Sequence, residues 1–222
     1  MALYRGEWPD QGLTESCVGH AITQAVAIRQ GLVGLDPVIP APTDIYYRAR
    51  ASRQGWEYVV DVGSNPVAGW EALRPPGAGA GLGIVALADL PWDPFRVDDP
   101  PDPALYRHAI ERDWLSYYWI LEDGADRLVQ LDALLRSGHP VTAAITCDSS
   151  VVDWHPGDGP WRYRGPREGG HYLCLVHVDA DGHYWCVNSW GADHGLGGLT
   201  QIARDEIASS RTSYLATPEV KR

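Results

Sequence analysis

Cys17 opens a stretch, Cys17 to Leu32, in which Val18, Ile22, Ala25 and Val26 recur at helical spacing. A cysteine at the start of a helix faces unpaired backbone N–H groups and the positive end of the helix dipole. Both favour the thiolate, the form that attacks carbonyl carbon. Gln11 precedes it by six residues across a loop containing Gly12, near enough to aim its amide where the Cys17 N–H points, as an oxyanion hole requires. Far along the chain, Gly169-Gly170-His171 begins one apolar run and Asn188-Ser189-Trp190-Gly191 closes the next. If the two runs pair, Asn188 accepts a hydrogen bond from one ring nitrogen of His171 and leaves the other for the cysteine. Trp190 is placed to cover that bond and exclude water. Taken singly, each residue has a plainer reading: a buried core thiol, or a histidine that merely starts a strand.

Together the segments resemble the papain family of cysteine peptidases, in which Gln-Gly…Ser-Cys is followed by Gly-His and then Asn-Ser-Trp-Gly. The order Cys, His, Asn separates this pattern from chymotrypsin-like and subtilisin-like triads. Similar stretches lie between. Thr43-Asp44-Ile45-Tyr46-Tyr47-Arg48-Ala49-Arg50 looks like the helix that bacterial members place after the catalytic one. Leu90-Pro91-Trp92-Asp93 is similar to their Trp-Pro-Tyr turn, and Gly138-His139-Pro140-Val141 to their entry into a strand.

The resemblance implies an α+β, papain-like fold in a single domain over residues 1–222. It has a mainly helical half (about 11–110), a β-rich antiparallel half (about 111–222) and the active-site cleft between them. Gln11 then serves the oxyanion hole, Cys17 is the nucleophile, His171 the base and acid, and Asn188 the orienter. Gly63, Ser64, Gly170, Tyr172 and Trp190 bind substrate, the first two through their backbone. The implied reaction is peptide hydrolysis through a thioester, with no metal or organic cofactor.

The sequence departs from the family at three places. Val18 and His20 replace a tryptophan and another aromatic beside the nucleophile, which leaves the chemistry alone. Tyr172 stands where a small residue usually lines the pocket for the second substrate side chain before the scissile bond. It implies a narrowed pocket, unless the ring turns into packing. The sixteen residues before Cys17 are too few for an inhibitory propeptide, so either the enzyme is made active or a partner or assembly restrains it.

These residues need elements to hold them. Pro42-Thr43-Asp44 opens a second helix running through Arg53, with Thr43 as N-cap, and Ser64-Asn65-Pro66 opens a third. Leu128, Leu131, Leu134 and Leu135 mark an amphipathic helix stopped by Gly138, and Val141 to Cys147 reads as a strand. His171 to Val178 and His183 to Trp190 flank Asp179-Ala180-Asp181-Gly182, a hairpin signal. Leu199 to Ala203 and Ser213 to Ala216 read as further strands, Ile84 to Leu90 as a short strand or turn. The stretches Arg74 to Gly83 and Pro91 to Pro103 read as loops.

Composition narrows the alternatives. The net charge is −11, and Lys221 is the only lysine among 18 basic residues. Such a chain has no basic footprint for nucleic acid or anionic membranes. The opening Met-Ala-Leu-Tyr-Arg carries no basic and hydrophobic leader, so the chain is not marked for secretion and its location is read as cytoplasmic or unknown. Cys17, Cys147, Cys174 and Cys186 form no metal-ligand spacing, and free thiols are the default. A Cys174–Cys186 disulfide across the hairpin is conceivable. His20 and His177 read as structural, and Trp154 and Trp161 as cleft rim or packing. Two other classes of function stay open: a catalytically silent papain-fold component of a larger assembly, and a transpeptidase or acyltransferase using the same site. The intact set Gln11, Cys17, His171 and Asn188 argues against the first.

Overall fold

The computed structural model describes residues 10–55, 59–76, 81–112 and 114–221. The opening residues, and residues 77–80 within the Arg74 to Gly83 loop, lie outside them. The chain divides into two compact units. One holds Gln11–Tyr117 with Glu219–Arg222, the other Tyr118–Pro218 with Asp10.

The first unit is built on helices α1 (Cys17–Leu32), α2 (Pro42–Gln54) and α3 (Pro66–Ala72), with a single turn, α4 (Tyr106–Ala109). Every residue of α1 from Val18 to Gln30 is buried, not only the apolar stripe. Among its buried polar residues, Thr23 donates to the Pro40 carbonyl at 3.1 Å. Two glycines let the other helices close on α1. A Cβ at Gly19 would lie 2.5 Å from the Pro42 carbonyl oxygen, and one at Gly69 would lie 2.7 Å from Val18 Cγ1.

Asn65 caps α3 by accepting the Val67 N–H at 2.9 Å, with Pro66 in the first turn. At α2 the cap differs from the expectation. Ala41 is the N-cap and makes no side-chain bond, and Pro42 opens the helix. Proline suits that position because its fixed φ is helical and its missing N–H would be unpaired anyway, which moves Thr43 inside the helix. Between Ile84 and Leu90 there is one bridge, Ala86 to Pro40, followed by a turn.

Beneath α2, the Arg48 guanidinium pairs with Asp44 and donates to the Ala72 and Gly83 carbonyls. Tyr106 donates to the same Asp44 at 2.9 Å. A buried pair is tolerated when hydrogen bonds of this kind satisfy its remaining sites.

The second unit carries most of a six-stranded sheet. Its strands are β1 (Leu115–Trp119), β2 (Val141–Cys147), β3 (Gly169–Val178), β4 (Tyr184–Val187), β5 (Leu199–Ile202) and β6 (Thr212–Val220), in the order β1-β6-β2-β3-β4-β5. Pairings β2–β3, β2–β6, β3–β4 and β4–β5 are antiparallel. Helix α5 (Gly124–Arg136) buries Leu131 and Leu135 in the core with Val141, Leu173, Leu175 and Tyr184. A short helix, α6 (Arg204–Ala208), leads into β6.

The β3–β4 hairpin forms as its turn residues demand. Gly182 takes φ +83°, and Asp179 accepts the N–H groups of Asp181 and His183. Burial works to raise the Asp179 carboxyl, but bonds from the His183 N–H, Gln201 and Trp185 hold it below its ordinary value.

Cys174 and Cys186 are both free. Cys174 lies opposite Val187 while Cys186 lies opposite Leu175. Alternation along a strand therefore sends the two thiols to opposite faces of the sheet, and no disulfide is possible there. Trp154 and Trp161 are 3% and 4% exposed and pack into the core cluster, while both also line a surface cavity with Ser149, Asp153 and Arg164.

Gly19→Ala is expected to destabilise the protein by about 1–2 kcal/mol. The clash with a backbone carbonyl outweighs the gain of about 1 kcal/mol in helix propensity. Denaturant unfolding checks this, and an unchanged or raised midpoint would contradict the packing described.

Candidate active site

Each unit supplies one group of the residues read from the sequence. In the helical unit, Cys17 is the first residue of α1 and is partly exposed. The loop before it is tightly bonded within itself. Gln11 Nε2 donates to the Thr14 carbonyl at 2.6 Å, and Thr14 Oγ1 donates back to the Gln11 carbonyl at 2.8 Å. Thr14 and Ser16 share a hydroxyl–hydroxyl bond of 2.6 Å. One hydrogen of the Gln11 amide thus fixes its plane. The nitrogen carries two, so a fixed amide can still donate elsewhere.

A second loop is clamped to this one by residues that sequence reasoning did not single out for the site. Asp61 Oδ1 accepts the Glu15 N–H at 3.0 Å and also the Tyr46 hydroxyl. Tyr46 Oη in turn accepts the Gly63 N–H at 3.0 Å. Burial first, and then the bond to Asp61, push the Tyr46 phenol far above its ordinary value, so it stays protonated and donates. The Arg50 guanidinium covers the Tyr46 ring at 3.8 Å and holds it in place. Gly63, at φ +76°, is thereby positioned through its backbone, and Ser64 lies next to it. A tyrosine inside a helix and an aspartate after a loop carry no local signal of this link, which joins residues distant in sequence.

In the β-rich unit, His171 sits on β3 opposite Ile145, preceded by Gly170 opposite Thr146. Asn188 follows β4. The His171 Nε2 to Asn188 Oδ1 distance is 2.7 Å. The Ser189 N–H also meets Asn188 Oδ1, at 2.9 Å, and can only donate. The amide oxygen therefore faces both, Nε2 of His171 carries the hydrogen, and Nδ1 is left as the basic nitrogen. Asn188 is fixed further by Nδ2 donating to Thr200 Oγ1 at 3.2 Å and by its own N–H donating to the Gly198 carbonyl at 2.9 Å.

The Trp190 ring stacks on the imidazole with centroids 4.3 Å apart at 16°. Burial pushes His171 down to about 4, with the Asn188 bond working the other way and His194 adding to the lowering. Tyr172 is 2% exposed, and its hydroxyl is bonded to Thr142 Oγ1 at 2.7 Å and to the Tyr214 carbonyl at 3.0 Å. Its ring is held within the sheet.

The remaining sequence candidates are packing groups. His20 lies edge-on to Trp92 at 4.4 Å. Cys174 and Cys186 are core thiols whose pKa burial raises, Cys186 to about 12. Cys147 is half-buried at the end of β2 and is also raised by burial. Among the described residues no group of three or more His, Cys, Asp or Glu is placed to hold a metal ion.

A scan of protein-family models and a search of curated proteins find no match to this chain. Solved structures do match. Xylellain, a cysteine protease from Xylella fastidiosa, is 24% identical with a TM-score of 0.73, over 98% of this chain and 84% of that one. Bromelain protease from Ananas comosus, solved with the E64 inhibitor, is 16% identical at a TM-score of 0.68, over 97% and 94%. Digestive procathepsin L 3 from the larval midgut of Tenebrio molitor is 14% identical at 0.70, over 97% and 66%. The chain has the α+β fold of these papain-like cysteine proteases.

Two measurements follow from the geometry. Asp61→Ala removes the acceptor of both the Glu15 N–H and the Tyr46 hydroxyl. It is expected to cost about 1–3 kcal/mol and to speed hydrogen exchange at the Glu15 and Gly63 amides; unchanged exchange at both would refute the clamp. In a Cys17→Ala background, the buried His171 contributes stability that is complete above about pH 6.5 and lost as pH falls through about 4. That contribution amounts to up to about 3 kcal/mol. His171→Gln should flatten this part of the stability profile, and an unaltered slope would count against a neutral, buried imidazole.

Proposed function

We propose that this chain is a papain-like cysteine peptidase that hydrolyses peptide bonds through a Cys17–His171–Asn188 site and a thioester intermediate. The observation that carries the reading is the Asn188 amide, whose orientation leaves His171 Nδ1 as the base. The fold shared with solved cysteine proteases supports it, as does the position of Cys17 at the N-terminus of α1.

The proposal requires Cys17 Sγ to come within hydrogen-bond reach of His171 Nδ1. Proton transfer then gives a thiolate and an imidazolium, and each charge stabilises the other against the burial that otherwise keeps His171 neutral. The thiolate attacks the peptide carbonyl. The oxyanion is met by the Cys17 N–H and the Gln11 side-chain amide, and His171 returns its proton to the leaving amine. Water then attacks the thioester, giving its proton to His171, and the carboxylic acid leaves as Cys17 is regenerated.

Gly63, Ser64 and Gly170 are assigned to the substrate backbone. Trp190 keeps water from the His171–Asn188 bond. Tyr172, 2% exposed and bonded through its hydroxyl to Thr142 and the Tyr214 carbonyl, is read as a packing residue and not as part of the substrate pocket. The acceptor is taken to be water, the simplest nucleophile that completes the cycle, and an amine in its place would make the same site a transpeptidase. Neither metal nor organic cofactor enters these steps. Protein or peptide substrates are proposed, with no part for nucleic acid or membrane in an acidic chain, and the enzyme is either made active or held by a regulatory or assembly partner.

Cleavage of a peptide-library substrate under reducing conditions tests this. Cys17→Ala should abolish turnover, and His171→Ala should lower kcat by at least about 10³-fold. Asn188→Ala should lower it about 10–10²-fold by misorienting the ring. Turnover that survives Cys17→Ala would refute the assignment. Amide transfer to an added amine in place of hydrolysis would favour the acyltransferase.

A further inference from the structure

We propose that His194 is a positioning residue for the base, holding the Trp190 ring flat on His171 in its neutral form and releasing it on protonation. The inference rests on the functional reading above for its consequence in catalysis, though not for its geometry. Trp190 stacks on His171, and the His194 ring meets Trp190 edge-on, with centroids 4.8 Å apart at 70°. Three rings thus form a pile of histidine, tryptophan and histidine. His194 Nε2 reaches the Val151 carbonyl at 3.2 Å, and Val151 is fully buried in the turn after β2. A carbonyl can only accept, so Nε2 carries the hydrogen.

The loop carrying His194 is itself closed. Asn188 N–H donates to the Gly198 carbonyl at 2.9 Å, and Gly198 N–H donates to the His194 carbonyl at 2.8 Å. The loop that orients Asn188 therefore also orients His194. Trp190 thus contacts both the base and a ring tethered to the turn after β2.

The proton dependence follows from the other ring nitrogen. His194 Nδ1 is buried with no hydrogen-bond partner among the described residues. Neutral, it carries only a lone pair. Protonated, it would bury an N–H without an acceptor and a charge beside two other histidines, which is costly. His171 shares the Trp190 ring as a neighbour, and His155, in the turn after Trp154, is near enough to lower the His194 pKa. Asp10 faces Gly191 of the same loop, its Oδ2 3.1 Å from the place a Cβ would take there. Asp193 precedes His194 and is exposed. Burial lowers the His194 pKa first, the Val151 and Val152 carbonyls work to raise it, and His155 lowers it again.

The test is an NMR titration of the imidazole Cε1–H signals in Cys17→Ala protein, with and without His194→Phe, alongside the pH profile of kcat/KM in the enzyme with Cys17 intact. Phenylalanine keeps a flat ring against Trp190 but neither titrates nor bonds to Val151. His194→Gln is the second variant, keeping a donor for the Val151 carbonyl without a proton to gain. In both, the His171 midpoint is expected to rise by on the order of 0.5 pH unit, through loss of a positive neighbour at low pH. The acid limb of kcat/KM should change from two ionisations to one. His194→Ala, which removes the ring, should lower kcat with little change in KM.

Unshifted His171 midpoints together with an unaltered acid limb in the Phe and Gln variants would overturn the inference. The titration needs no turnover. A shifted midpoint in a protein that cleaves nothing would therefore sink the functional reading and leave the coupling standing.

Discussion

A hydrogen bond of 2.7 Å between His171 Nε2 and Asn188 Oδ1 makes sense of much of the β-rich unit. A bond between two side chains seventeen residues apart needs two strands in fixed register, so the β3–β4 hairpin must form without slippage. Asp179 secures its turn, accepting the N–H groups of Asp181 and His183 on one oxygen and bonds from Trp185 and Gln201 on the other. The amide must also face the right way. The Ser189 N–H and Thr200 Oγ1 settle that from opposite ends of the Asn188 side chain. Low polarity around the bond raises its strength, and the stacked Trp190 supplies it. The same surroundings keep His171 uncharged until an opposite charge comes near.

The helical unit is arranged for a different demand. A side chain at the end of a helix is only as well placed as the helix, and α1 is buried along almost its whole length. Gly19 and Gly69 allow backbone and side chains of its neighbours to approach closer than any Cβ would permit. The loop leading into Cys17 is fixed by its own Gln11–Thr14–Ser16 bonds, and Asp61 and Tyr46 then tie it to the Gly63 backbone. These contacts surround the partly exposed Cys17 at the head of α1.

Much of this was legible in the sequence because the signals are local. The start of α1 at Cys17, the Asn65 cap with Pro66, the α5 leucines and the Asp-Gly turn each depend on a few neighbouring residues, and each stands in the structure as read. The His171–Asn188 bond was legible because a hairpin fixes which residues meet across it. A misreading has an equally specific cause. Thr43 is a good capping residue, but Pro42 fits the first turn better and moves the cap back to Ala41. Cys174 and Cys186 flank a turn, and the free thiols expected of them stand because strand alternation parts their side chains. The Asp61–Tyr46 clamp and the His194–Val151 tether were not legible. Each joins residues distant in the chain through one oxygen, and nothing in either segment alone marks it.

The claim at the centre is that Cys17 is a nucleophile activated by His171. It is tested most directly by intact mass after exposure to the epoxide inhibitor typical of papain-like enzymes, under reducing conditions. The account predicts one adduct on the native protein, absent from Cys17→Ala and lost in His171→Ala, with Cys147, Cys174 and Cys186 unmodified. A folded protein that takes no adduct, or one that reacts equally without His171, would contradict it.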